Sequence, residues 1–126
     1  MSMRSPLGTA KGLGSAHEGL HHWWAQRVTA VALIPLTLWL AFCVASIASA
    51  DYGTAIAHLS SPLSATLFGS LIVAAFYHAG LGMQVVYEDY ISCKAIRIAC
   101  IMGTNLLLFF LAIAAVLAIV RIAVGG

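Results

Sequence analysis

Residues 62–90 read PLSATLFGSLIVAAFYHAGLGMQVVYEDY, a run with no Asp, Glu, Lys or Arg from residue 62 to 87, closed by Glu88-Asp89-Tyr90. Those 26 residues, rising ~1.5 Å each in a helix, exceed the ~30 Å thickness of a bilayer's hydrocarbon core. Ser61-Pro62 makes a sound helix start. A serine side chain can accept from a free N–H there, and proline's missing donor costs nothing at the first helical position. A single histidine, His78, lies deep inside the run, about 15 Å from its Glu88 end at ~1.5 Å per residue.

Two further uncharged runs flank this one, at about 28–50 and about 98–120. The chain has 126 residues, 62% of them hydrophobic and 8% charged, where a soluble domain carries roughly a quarter charged residues. That composition excludes an ordinary globular domain, a disordered chain and a nucleic-acid binder. The net charge of +2 is too small to call for an anionic partner. The sequence therefore predicts an all-α integral membrane protein with three transmembrane helices. Residues 1–20 form an N-terminal arm, and residues 21–126 form a membrane anchor with spans at about 28–50, 62–87 and 98–120.

Gly8, Gly12, Gly14 and Gly19 weaken helical continuity in the arm. His21-His22-Trp23-Trp24 then marks the membrane interface, where indole rings sit with one edge wet. Pro35 lies inside the first span and removes one backbone hydrogen bond from it. Residues 51–61 read as a polar loop without Lys or Arg. Arg4, Lys11 and Arg27 precede the first span and Lys94 and Arg97 follow the second, against Arg121 alone on the other side. Basic residues gather on the cytoplasmic side, so the N-terminus is expected inside and the C-terminus outside. The N-terminal stretch fits neither a secretory signal nor an Arg-rich transit peptide, which points to a multi-pass protein of a bacterial inner membrane. Cys43, Cys93 and Cys100 show no metal-ligand spacing and read as buried free thiols.

An imidazole at the depth of His78 must be hydrogen-bonded, protonating or bound to metal, because an unpaired polar group in hydrocarbon costs several kcal/mol. Residues four apart share a helix face, and the face through His78 carries Ser70, Ala74 and Gly82, with Ala75 beside it. Such small residues leave room for either a porphyrin ring or a closely packed helix. A haem transferring electrons needs a second axial ligand. His17, His21, His22 and His58 all lie at the wrong depth, so that ligand would come from another protein of the same assembly.

Asp89 stands eleven residues after His78, ~1100° of helix rotation and so within ~20° of the same face, ~16 Å farther along. With Tyr90 it offers a proton and a hydrogen bond to a carbonyl, as quinone reduction requires. Equally, acidic and aromatic residues are common at span ends. Arg27 pairs with an anionic group or marks the cytoplasmic side, and Gln84 and Asn105 are candidates for hydrogen bonds between helices.

Two stretches carry a resemblance. His22-Trp23-Trp24-Ala25-Gln26-Arg27-Val28-Thr29-Ala30, and His78-Ala79-Gly80-Leu81-Gly82-Met83-Gln84-Val85-Val86-Tyr87-Glu88-Asp89-Tyr90, resemble the signatures of the D-type hydrophobic membrane-anchor family of succinate dehydrogenase, respiratory complex II, in its alphaproteobacterial form. The resemblance implies that His78 is an axial, metal-bound ligand of haem b, opposite a ligand from the C-type partner anchor. It implies that Tyr90 hydrogen-bonds a ubiquinone carbonyl, that Asp89 organises and protonates that site, and that Arg27 lies near the haem propionates and quinone pocket. FAD and the iron-sulfur clusters would belong to the flavoprotein and iron-sulfur subunits, docked on the cytoplasmic side. Gly80 stands where some members carry a bulky residue. Two other readings stand beside this one. A haem-free membrane scaffold needs only the small-residue stripe. A proton-linked transporter needs polar residues along one pore, for which the spans offer His78, Gln84 and Asn105.

Overall fold

The computed structural model describes residues 6–7 and 16–125, with side chains in the first helix from residue 19 onward. Most of the expected arm, residues 1–20, falls outside the described residues, and from residue 16 the chain is already helical. Four helices follow: α1 (Ala16–Ile47), α2 (Tyr52–Ser60), α3 (Pro62–Tyr90) and α4 (Lys94–Ala123). Three of them, α1, α3 and α4, are long and apolar enough to cross a membrane.

The helices outrun the apolar stretches at most of their ends. α1 begins well before residue 28, α3 continues through Glu88, Asp89 and Tyr90, and α4 starts at Lys94. Hydropathy marks where side chains stop being apolar, whereas the hydrogen-bonded backbone carries on into the interface. At 29 residues, α3 is ~43 Å long against a ~30 Å core, so it projects beyond the hydrocarbon. α1 runs unbroken through Pro35 and stops at Ile47, short of residue 50.

The stretch 51–61 is not a loop, because residues 52–60 form α2. Asp51 starts it: its carboxylate accepts from Thr54 N at 3.3 Å and from Thr54 Oγ1 at 2.6 Å. Those bonds, the hydroxyl's foremost, hold the exposed carboxyl below its ordinary pKa. Ser61 ends α2 and caps α3, with Oγ accepting from Ser64 N at 3.3 Å. One residue thus turns the chain back into the membrane, as its pairing with Pro62 predicts.

α3 is the middle helix. It contacts both α1 and α4, while those two make no contact with each other among the described residues, and α2 touches all three. The spans therefore form a layer one helix thick. Trp39 meets Phe68 edge to face at 4.8 Å across the α1–α3 seam, and Tyr87 OH lies 2.8 Å from Thr104 Oγ1 across the α3–α4 seam. Among the described residues only Cys43, Ser64 and Leu71 are buried. A water-soluble chain could not be stable with so little apolar area hidden; lipid and neighbouring helices must cover both faces of this layer.

The cysteines divide. Cys43 is buried as expected, Cys100 is half-buried, and Cys93 is exposed at the N-cap of α4. The expectation of burial fails for Cys93 because α4 begins at residue 94, which places its neighbour at the helix mouth rather than inside a span.

Candidate functional site

His78 sits near the middle of α3 and is half-buried against α1. Its Nδ1 lies 2.9 Å from Thr29 Oγ1, and Nε2 makes no hydrogen bond among the described residues. Thr29 Oγ1 also donates back to its own helix, at 2.7 Å from Ala25 O and 3.1 Å from Gln26 O. One turn along α3, a Cβ on Gly82 would lie 3.7 Å from Gln26 Nε2. The small side of α3 therefore lets α1 come close here.

Farther along, Thr29 on α1 and Thr66, Gly69, Ser70 and Ala74 on α3 border an open recess of about 560 Å³ on the flank of α3. The stripe through His78 thus does both things that small residues can do. Gly82 serves close helix packing; Ser70 and Ala74 border open space.

Along α1, His22, Gln26 and Thr29 recur at helical spacing. His22 Nε2 and Gln26 Oε1 are both buried without a hydrogen-bond partner. Leaving such atoms unsatisfied costs about 1–3 kcal/mol each, so this polar strip calls for groups from outside the chain. In the sequence, His22 stood out as an interfacial residue at the wrong depth for a ligand, Gln26 stood out only within a motif, and Thr29 carried no role of its own. The signal was their i, i+4, i+7 spacing, which acquires meaning once α1 is known to turn that face toward His78.

The other expected site residues stand apart. Arg27 lies ~200° around α1 from Thr29, and its guanidinium rests 5.4 Å over the Trp23 ring. A cation–π contact of this kind is worth about 0.5–1 kcal/mol at an exposed site, little enough to yield to a charged partner. Asp89 and Tyr90 occupy the last turn of α3, and Tyr90 is 84% exposed. That turn carries Glu88 and Asp89 with no basic residue, although the end of a helix favours cations. The structure does not bring Asp89 or Tyr90 to His78; they lie at the far end of α3.

Gln84 corrects an expectation. Its Nε2 donates to Glu88 Oε1 at 2.9 Å, four residues along the same helix rather than across to another. Residues four apart on one helix are neighbours, which puts this acceptor within reach. Asn105 does face α3, since a Cβ on Gly80 would come within 3.2 Å of its Oδ1.

Among the described residues no three His, Cys, Asp or Glu side chains gather to hold a bare metal ion. A single imidazole suits a metal that arrives with its own equatorial donors. The free Nε2 of His78, the adjoining recess and the orphaned polar atoms on α1 fit a metal-bearing macrocycle on those terms.

Comparison with known proteins agrees with the architecture. The model of the succinate dehydrogenase/fumarate reductase transmembrane subunit family matches residues 1–121. A succinate dehydrogenase hydrophobic membrane anchor subunit of Rickettsia bellii is 36% identical over 116 residues, covering 92% of this chain and 93% of that one. The protein of the same name from Paracoccus denitrificans is 31% identical over 122 residues, covering 97% and 94%. With three membrane-length helices and these relatives, the protein is a multi-pass component of a bacterial inner membrane. The chain belongs to the succinate dehydrogenase/fumarate reductase transmembrane subunit family, as one of its hydrophobic membrane anchors, and so forms part of an oxidoreductase complex.

Proposed function

We propose that this anchor holds one face of haem b through His78 and one side of a ubiquinone-reduction site through Tyr90 and Asp89. The observation that carries the reading is the mid-membrane imidazole with one nitrogen fixed by Thr29 and the other free beside a recess. The C-type partner anchor, laid against the three-helix layer, would supply the other protein ligand of the haem. The N-terminus and the Asp89 end of α3 face the cytoplasm, where the iron-sulfur and flavoprotein subunits dock.

His78 would hold the haem through Nε2, and Arg27 would pair with a propionate. Haem, when bound, supplies a one-electron centre within the membrane. FAD in the flavoprotein and the clusters of the iron-sulfur protein would supply the electrons, drawn from succinate, that reduce the quinone. At the quinone, the Tyr90 hydroxyl donates a hydrogen bond to one carbonyl oxygen. That bond strengthens as negative charge grows on the oxygen. Asp89 relays a proton to the same oxygen, and its exposure keeps it in exchange with water. Two electrons and two protons complete the reduction to quinol.

The purified complex, with both anchors and both soluble partners, tests this reading. Adding succinate is expected to produce the bands of reduced haem b in its visible spectrum and to reduce added ubiquinone. A complex that assembles without haem would instead favour the scaffold.

A further inference from the structure

We infer that Thr29 is a positioning residue for haem ligation, fixing both the tautomer and the ring plane of His78. The inference rests on the reading of His78 as the ligand and goes beyond it. A threonine hydroxyl has one proton. We assign that proton to Ala25 O, the nearest acceptor at 2.7 Å, with Gln26 O at 3.1 Å on the same side. The oxygen therefore meets His78 Nδ1, 2.9 Å away, only as an acceptor. Nδ1 must carry the imidazole proton, and Nε2 is left as the lone-pair nitrogen.

The arrangement is built into α1. The back-bond to the preceding turn holds the threonine rotamer, so the acceptor does not swing with the ring. Thr29 also helps to wall the recess, which puts orientation of the ligand and shape of the cavity in one side chain. An imidazole whose second nitrogen donates to a fixed acceptor is a stronger base toward metal, and losing such a partner typically costs 10–100-fold in affinity or activity. A more basic ligand favours the oxidised iron. Removing the acceptor should therefore raise the haem's midpoint potential.

The test uses the assembled complex with Thr29→Val, which keeps the branched shape and deletes the oxygen, and Thr29→Ser, which restores it. Thr29→Val is expected to weaken haem retention roughly 10–100-fold during dilution and washing. It is also expected to raise the midpoint potential; a tenfold unequal effect on the two oxidation states is about 59 mV for one electron. Thr29→Ser is expected to recover both. If valine blocks assembly, Thr29→Ala removes the oxygen with less bulk and is read the same way. A wild-type potential and retention in the oxygen-less variant overturns the inference, as does a serine variant as perturbed as valine. His78→Ala run alongside separates the two levels. Haem bands that persist there defeat ligation by His78 itself, whereas loss of those bands beside an unmoved Thr29→Val defeats the positioning role alone.

Discussion

His78→Ala is expected to strip haem b absorbance from the assembled complex. The side chain is the only imidazole within α3, and alanine leaves this helix with no nitrogen donor to iron beside the recess. The substitution costs the layer little by itself. An interhelical hydrogen bond in a membrane averages about 0.6 kcal/mol, small against the about 5–15 kcal/mol that holds a typical domain folded. Thr29 keeps its donated bond to Ala25 O and is left with no orphan proton. The assembly should therefore still form, and the change should be read in the spectrum rather than in a collapsed yield. Unchanged band positions and intensity in the variant would contradict ligation by His78.

Tyr90→Phe is expected to slow ubiquinone reduction on the order of 10²-fold, the scale of removing one hydrogen-bond donor aimed at developing negative charge. Succinate oxidation by an artificial acceptor that takes electrons before the quinone site should stay near wild type. The comparison is clean because Tyr90 is 84% exposed and its ring contributes little to packing within this chain. Equal losses in both assays would indicate failed docking of the soluble partners and would count against a hydrogen bond to quinone.

The spans were legible because lipid selects them by one crude property, apolar length, which any run free of charge displays. Their ends were less legible. Glu88-Asp89-Tyr90 and Lys94-Ala95-Ile96-Arg97 are polar enough to look like a connection, yet their backbones remain helical as the chain leaves the hydrocarbon. α2 was missed for a related reason. The polar stretch 51–61 suggested a loop, and the Asp51 cap on Thr54 starts a helix there instead. Local capping can start a short helix that hydropathy does not register.

The candidate site divides along the same line. The depth of His78 and its alignment with Asp89 follow from counting residues at fixed rise and rotation. Which residue of α1 meets His78 does not, because that depends on how two helices rotate against each other. Thr29, Gln26 and His22 share a face in any helix; only the α1–α3 seam shows that this face is the one turned inward. Gln84 shows the opposite error: it was expected to reach another helix, and a nearer acceptor on its own helix, Glu88, holds it.

The most direct measurement is an experimental density map of the assembled complex in the middle of the membrane. A planar macrocycle is expected beside the α1–α3 seam, its iron bonded to His78 Nε2 and to a side chain of the neighbouring anchor. A map in which lipid or a packed helix fills that place, with His78 touching nothing but Thr29, would contradict ligation and the function built on it.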